Sequence, residues 1–184
     1  MSRKLLTTVA LAVFALPLAT TQAQMGFGVA AGLSAPMGDF GTVVDAGYHL
    51  TGLVTFSAPL APVGLRVEGS FSEFNYKSTI FSSSAKARLL SATANAVFSS
   101  PGVMSPYLIG GLGIYNSSAS CSGCSSSSTS KIGFNGGGGF RFGLSGFSAF
   151  LEARYHYIPG GTNATTGGAN SSTQVIPFSF GVTF

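Results

Sequence analysis

Over residues 175–184 every second side chain is large and apolar. Ile176, Phe178, Phe180, Val182 and Phe184 share one face, and Val175, Pro177, Ser179, Gly181 and Thr183 share the other. A period of two is that of a β-strand. The same alternation sets Phe147, Ala149, Leu151, Ala153, Tyr155 and Tyr157 against Ser148, Phe150, Glu152, Arg154 and His156. It also sets Val63, Leu65, Val67 and Phe71 against Gly64, Arg66, Glu68 and Ser70, and Ile132, Phe134, Phe140 and Phe142 against Lys131, Asn135 and Arg141. These four strands span 175–184, 147–157, 63–71 and 132–142. Further strands at 26–34, 48–56, 87–98 and 107–115 bring the count to eight, each bounded by Gly, Pro, Ser or Asn clusters. In the segment 107–115, Tyr107, Ile109 and Tyr115 compete with Leu108, Leu112 and Ile114, so the pattern leaves its facing open.

The connections alternate in length. Those at 57–62, 99–106 and 143–146 are tight; those at 35–47, 72–86, 116–131 and 158–174 are longer and rich in Ser, Gly, Thr and Asn. Short turns interleaved with long loops predict an all-β fold, an eight-stranded antiparallel up-and-down barrel that crosses a membrane. Its turns would lie in the periplasm and its longer loops outside the cell. Closure is required because hydrocarbon cannot satisfy an open strand edge.

Composition decides which face is outside. Only 8% of residues are charged, and on the four clearest strands most charges collect on the face opposite the apolar one. A soluble barrel would turn that charged face outward, and so few charges would make a poor water-facing exterior. Beyond the N-terminal region no apolar run reaches the roughly 18 residues of a helical span. Tyr48, Phe56, Phe98, Tyr107, Tyr115 and Tyr157 lie near strand ends, where aromatic girdles form.

Residues 1–23 differ in kind. Arg3 and Lys4 precede an apolar run over 5–18, and Thr21-Gln22-Ala23 supplies small residues at its end. This is the pattern of a secretory signal peptide cleaved after Ala23, leaving 24–184 as one barrel domain. A retained anchor is the competing reading, disfavoured by the short apolar stretch. Without Arg3 and Lys4, seven basic side chains stand against five acidic ones, a net charge of +2. No basic patch with interleaved aromatics supports nucleic-acid binding. Cys121 and Cys124 lie in a Ser-rich loop of an exported chain, where a local disulfide is expected.

The terminal run, with Phe178, Phe180 and Val182 leading to Phe184, resembles the last strand of Gram-negative outer-membrane proteins. That resemblance implies a signal read by the barrel-assembly machinery. GFGVAAGLSAPMGDF at 26–40, PYLIGGLGIYN at 106–116 and the stretch 133–157 are similar to the outer-membrane protein β-barrel domain family of OmpX-like and opacity-like proteins. The resemblance covers essentially the whole mature chain. It implies the fold, an outer-membrane address and that assembly route, with outer-membrane lipid and lipopolysaccharide as surroundings. It implies no function, because one fold hosts many. No peptidoglycan-binding domain is expected after the barrel.

The inward charges are the main candidate chemistry. Strands three and seven lie opposite each other in an eight-strand ring, which places Arg66 and Glu68 across the lumen from Glu152 and Arg154. A barrel of this size is just filled by side chains. The expectation is a buried ionic network of Arg66, Glu68, Glu152 and Arg154, with Arg141, Asn135 and Ser70 nearby, that fills the lumen and cancels its own charge. The alternative is a narrow polar pore.

His156 and His49 are the remaining titratable candidates. Lipid A deacylases of this size place a Ser two residues from the His on one strand, but Ile158 occupies that place after His156. His49 has Thr51 there, with no carboxylate at a compatible strand position. Both are read as structural. The Cys121–Cys124 spacing fits a redox dithiol, but lacks the helix start that stabilises a thiolate. The Gly136–Gly139 run has no strand-to-helix transition and reads as small residues in a barrel wall.

The expected function is therefore that of a monomeric, non-enzymatic barrel without cofactors or metals. It would contribute to membrane integrity or to surface interaction through its loops, with Phe74, Tyr76, Ile80 and Phe81 as candidate contacts. A small passive pore and a lipid A-modifying enzyme are the alternatives.

Overall fold

Alternating side chains pair into eight strands, each hydrogen-bonded to the next, and the last closes on the first. The computed structural model describes residues 24–57, 62–77, 86–120, 127–160 and 172–184. The strands are β1 (Gln24–Met37), β2 (Gly47–Ser57), β3 (Val63–Asn75), β4 (Lys86–Ser99), β5 (Met104–Ser120), β6 (Ser127–Leu144), β7 (Phe147–Ile158) and β8 (Thr173–Thr183). One short helix, α1 (Gly38–Val43), follows β1. Every neighbouring pair is antiparallel. At the seam, the Phe27 and Phe184 amides each donate to the other's carbonyl, at 3.0 and 2.7 Å.

The facing follows the sequence pattern and settles β5. Its odd residues, Tyr107, Ile109 and Tyr115, are buried inside, and Leu108, Leu112 and Ile114 face out. Tyr107 and Tyr115 are therefore lumen residues and not members of an aromatic girdle. The reason lies in their hydroxyls, which find buried partners at Glu152 and His156. Outside, Leu33, Leu50, Phe134, Leu151, Phe178 and Phe180 form part of an apolar belt around the whole barrel. Such a continuous exposed apolar surface suits hydrocarbon and would not suit water.

The strands outrun the sequence pattern. β5 has 17 residues and β6 has 18, where a tilted strand crosses a bilayer in about 9–11. Most of the expected loop 116–131 is thus ladder, paired as far as Ala119 and Ser127. Ser and Asn obscure strand periodicity there, because a strand with water on its outer side has no need of apolar alternation. The other, terminal end carries Gln24, Phe184 and the short β4–β5 and β6–β7 connections. Ser145 and Gly146 join β6 to β7, with Gly146 at φ +88°, a conformation that favours glycine. The β7–β8 ladder skips Arg154 and Tyr155 opposite Pro177, which has no N–H to donate.

Candidate functional site in the lumen

Inward side chains fill the barrel in layers. At the loop end an apolar cap of Val44, Phe74, Ala87, Leu89, Tyr115, Ile158 and Val175 is joined by Phe40 and Val43. The segment after β1 brings these last residues inward. Asp45 N–H donates to the Asn75 carbonyl and Lys77 N–H to the Val43 carbonyl, at 2.9 and 3.1 Å, so the α1 segment is pinned to the extension of β3. Lys77 Nζ also donates to the Gly41 carbonyl at 2.8 Å. Phe40 then meets Phe74 edge to face, with ring centroids 5.3 Å apart. Phe74 is 1% exposed. It belongs to this cap and does not present itself as a loop contact, because β3 continues to Asn75 with even residues still pointing inward. Tyr76 packs against the same cluster. Ile80, Phe81, Cys121 and Cys124 lie outside the described residues.

Below the cap is a polar layer. His49 lies between two serines, its Nδ1 3.0 Å from Ser34 Oγ and its Nε2 2.9 Å from Ser179 Oγ. Tyr115 Oη and His156 Nδ1 are 2.9 Å apart. Among the described residues His156 Nε2 has no hydrogen-bond partner. A cavity of about 30 Å³ lies among these groups, with Ser70 on its wall. That is room for only a water or two.

The ionic layer comes next. Arg66 Nε stands 3.0 Å from Glu68 Oε1, and Arg66 Nη2 donates to Glu152. Arg154 reaches both acids as well, through Nη1 to Glu68 Oε2 and Nε to Glu152 Oε1, each at 2.6 Å. The four side chains therefore close a ring of alternating charge in which every ion touches two counter-ions. The two Nε contacts are ionic in distance without the alignment of hydrogen bonds. Neutral donors complete the acids' shells. Tyr107 Oη donates to Glu152 at 2.7 Å, and Asn95 Nδ2 and Thr93 Oγ1 donate to Glu68 at 3.2 and 3.3 Å. Asn135 links the layer sideways, donating to Asn95 at 2.9 Å and accepting from Arg154 at 3.4 Å.

Arg141 is not brought into this ring. It sits near the start of the β6–β7 hairpin, opposite Ser105, and is exposed at the terminal end. Its inward parity matches that of Asn135, but six residues of strand separate the two in height. Beneath the ring, Ala30, Leu53, Tyr107, Ile109 and Phe150 form a second apolar layer. The Arg66 guanidinium lies 5.6 Å from the Tyr107 ring centroid and 5.4 Å from that of Phe150. Below this floor a vestibule of about 290 Å³ opens at the terminal end.

The glycine run of β6 makes room for these large side chains. A Cβ at Gly137 would meet the Ala153 carbonyl first and then Arg154 Cγ at 2.8 Å, and one at Gly139 the Leu151 carbonyl first and then Tyr107 Oη at 2.8 Å. Gly136 and Gly138 alternate with them on the outer face, as the β-strand period requires.

Sequence reasoning named the charged members and Asn135, but missed Tyr107, Asn95, Thr93 and the Ser34–His49–Ser179 contacts. Parity on β4 would have placed Asn95 and Thr93 inward, whereas β5 is apolar on both faces and gave no signal for Tyr107. The serine contacts needed the register of β1, β2 and β8. A second missed cluster lies outside, at the loop-end rim. There Glu73 accepts from Lys86 Nζ at 2.6 Å, Arg88 Nε at 2.9 Å and Tyr48 Oη at 3.2 Å. Phe178, Phe180 and Phe184 face outward on or beside β8.

Several solved structures share this architecture. Neisserial surface protein A is similar over 88% of this chain and 97% of its own, with a TM-score of 0.63 at 16% identity. A major outer membrane protein from Thermus thermophilus is similar over 89% and 98%, with a TM-score of 0.59 at 12% identity. Ail, the attachment invasion locus protein of Yersinia pestis, solved with the heparin analogue sucrose octasulfate, is similar over 88% and 99%, with a TM-score of 0.56 at 16% identity. At such identities the likeness establishes the fold alone. Among curated proteins no sequence matches the chain. The family model described as the outer membrane protein beta-barrel domain matches residues 6–184, nearly the whole chain, and so the chain belongs to that family of bacterial outer-membrane barrels.

Proposed function

We propose that this protein is a closed, non-enzymatic outer-membrane barrel that supports membrane integrity and carries its loops on a wall that conducts nothing. The observation that carries this reading is the ring of Arg66, Glu68, Glu152 and Arg154. Each charge in it is spent on two neighbours, and the ring separates a cavity of about 30 Å³ above from one of about 290 Å³ below. An ion entering from either side would have to displace a mutually satisfied buried quartet. Buried charges stripped of a partner are costly, so the ring resists opening.

The histidines support the non-enzymatic part of the reading. His49 has both ring nitrogens occupied by Ser34 and Ser179, and His156 faces a space of water size. Neither gives a lipid or a polymer an approach to a serine. Surface interaction is the remaining role, and with Phe74 inside the cap it falls to the parts of the loops beyond the strands. Ail is named for attachment and was solved with a heparin analogue; a comparable role here would use those loops.

The test is conductance. Folded protein inserted in planar bilayers, with insertion verified by protease protection in matched liposomes, is expected to give no unitary current steps. The variant Glu68→Ala/Glu152→Ala, in which both acids of the ring are gone, is expected to give irregular openings. Regular unitary steps from the unaltered protein would overturn the closed-wall reading in favour of the pore.

A further inference from the structure

The vestibule beneath the ionic ring has a lining that the closed-wall reading leaves unused. All eight strands contribute to it, including Thr55, Arg66, Ser99, Tyr107, Arg141 and Phe150. Its volume of about 290 Å³ is at the lower edge of the roughly 300–1,000 Å³ typical of small-molecule pockets. The charged side chains that face it are of one sign. Arg66 forms part of the roof with its acidic partners Glu68 and Glu152 above it, and Arg141 stands at the mouth. No acidic side chain lines the space among the described residues.

We propose that this vestibule is a binding site, open to the periplasm, for a small organic monocarboxylate with a short apolar body, and that Arg141 is the residue that recognises the carboxylate. The charge count selects a monoanion. The ring above cancels its own charge, so among the described side chains of the lining Arg141 is the cation left to answer. A dianion such as a phosphate monoester would bring a second charge with no counterpart among the described side chains of the lining. The lining selects the body. Val97 and Phe150 supply apolar walls, and Ser57 and Ser99 supply hydroxyls at the rim. The Phe150 ring closes the inner end, where Arg66 already covers its face. A guanidinium at the mouth and rings at the depth suit an acid that enters apolar end first. The planar fork of Arg141 can take both carboxylate oxygens.

The test uses the full barrel folded in a neutral maltoside detergent, with para-fluorobenzoate as the probe and para-fluorobenzamide as its uncharged counterpart, followed by fluorine NMR line broadening. Benzoate is expected to broaden saturably, and benzamide to bind at least about tenfold more weakly, the loss expected for a missing charge-assisted contact. Arg141→Gln is expected to weaken benzoate by about tenfold and to leave benzamide unchanged, while Arg141→Lys restores much of the difference. Because Arg141 lies outside the ionic ring, these variants keep the fold, which the heat-dependent gel shift of the folded barrel verifies. Ser99→Trp, which fills the vestibule, is expected to abolish binding of both probes. Absence of saturable broadening, equal broadening by both probes, or undiminished benzoate binding in Arg141→Gln would each overturn the proposal.

Discussion

At the loop end of the barrel Phe74, Val44, Ile158 and Val175 meet across the lumen beside α1, whereas at the terminal end the same eight strands stop around an open vestibule with Arg141 at its mouth. One mouth is closed by apolar packing and the other is left open. The difference comes from chain length beyond the wall. At the loop end the chain after β1 is long enough to fold Phe40 and Val43 back over the lumen, and β3 extends to meet them. At the terminal end the two-residue turn at Ser145 and Gly146 has no spare chain to fold inward. Between the two mouths the ionic ring holds the walls together and makes each end independent of the other. Energy in the lumen should therefore be concentrated in the ring and the cap.

Glu152→Ala should break this arrangement most severely. It leaves Arg66 and Arg154 each short of a buried counter-ion and frees Tyr107 Oη, at an expected cost of about 3–5 kcal/mol. Urea unfolding in liposomes would measure it. A shift in midpoint no larger than that of a surface substitution would show that water or the opposite acid takes over the contacts. Replacing the whole quartet by well-packed apolar residues should cost far less than this single change, because no charge is then left alone.

Phe74→Ala should come next, at about 3 kcal/mol, through lost burial and an unfilled space under α1. It should also separate the two mouths. With the cap open, a cysteine placed at Leu89 would react with an external maleimide, while the vestibule's properties would stay as they were. If Leu89→Cys remained protected in Phe74→Ala, the seal would have to reside elsewhere in the loops.

Much of the wall was legible because hydrocarbon outside and charge inside write a strict period of two, as on β3, β7 and β8. The opposed pairs Arg66–Glu68 and Glu152–Arg154 followed from that period and from the count of strands. The rest was hidden for physical reasons. On β5 both faces are apolar, since Tyr107, Ile109 and Tyr115 fill the lumen while Leu108, Leu112 and Ile114 face lipid, so hydropathy had no contrast to read. Phe74 looked like a loop residue because Ser and Asn surround it, although the strand had not ended. Arg141 shares the parity of the network residues, and only its height excludes it. Height depends on register, which the period of two does not encode.

The adjacent glycines of β6 offer the finest test of inside against outside. Gly137 points inward, where a Cβ would crowd the Arg154 side chain at 2.8 Å and the neighbouring β7 backbone, so Gly137→Ala should cost about 1–3 kcal/mol. Gly136 points outward, with nothing nearer to its Cβ direction than the Ile109 carbonyl at 3.9 Å. There alanine adds apolar surface facing the bilayer and removes backbone freedom from the unfolded chain, so Gly136→Ala should be neutral or stabilise by less than about 1 kcal/mol. The pair differs by one position and shares its intrinsic propensities, its strand and its depth within a residue. Only the side of the wall distinguishes them. Equal effects from the two substitutions would mean that the glycines serve the curvature of β6 and not the room required by Arg154, and the tight fit of the ionic ring against this strand would lose its support.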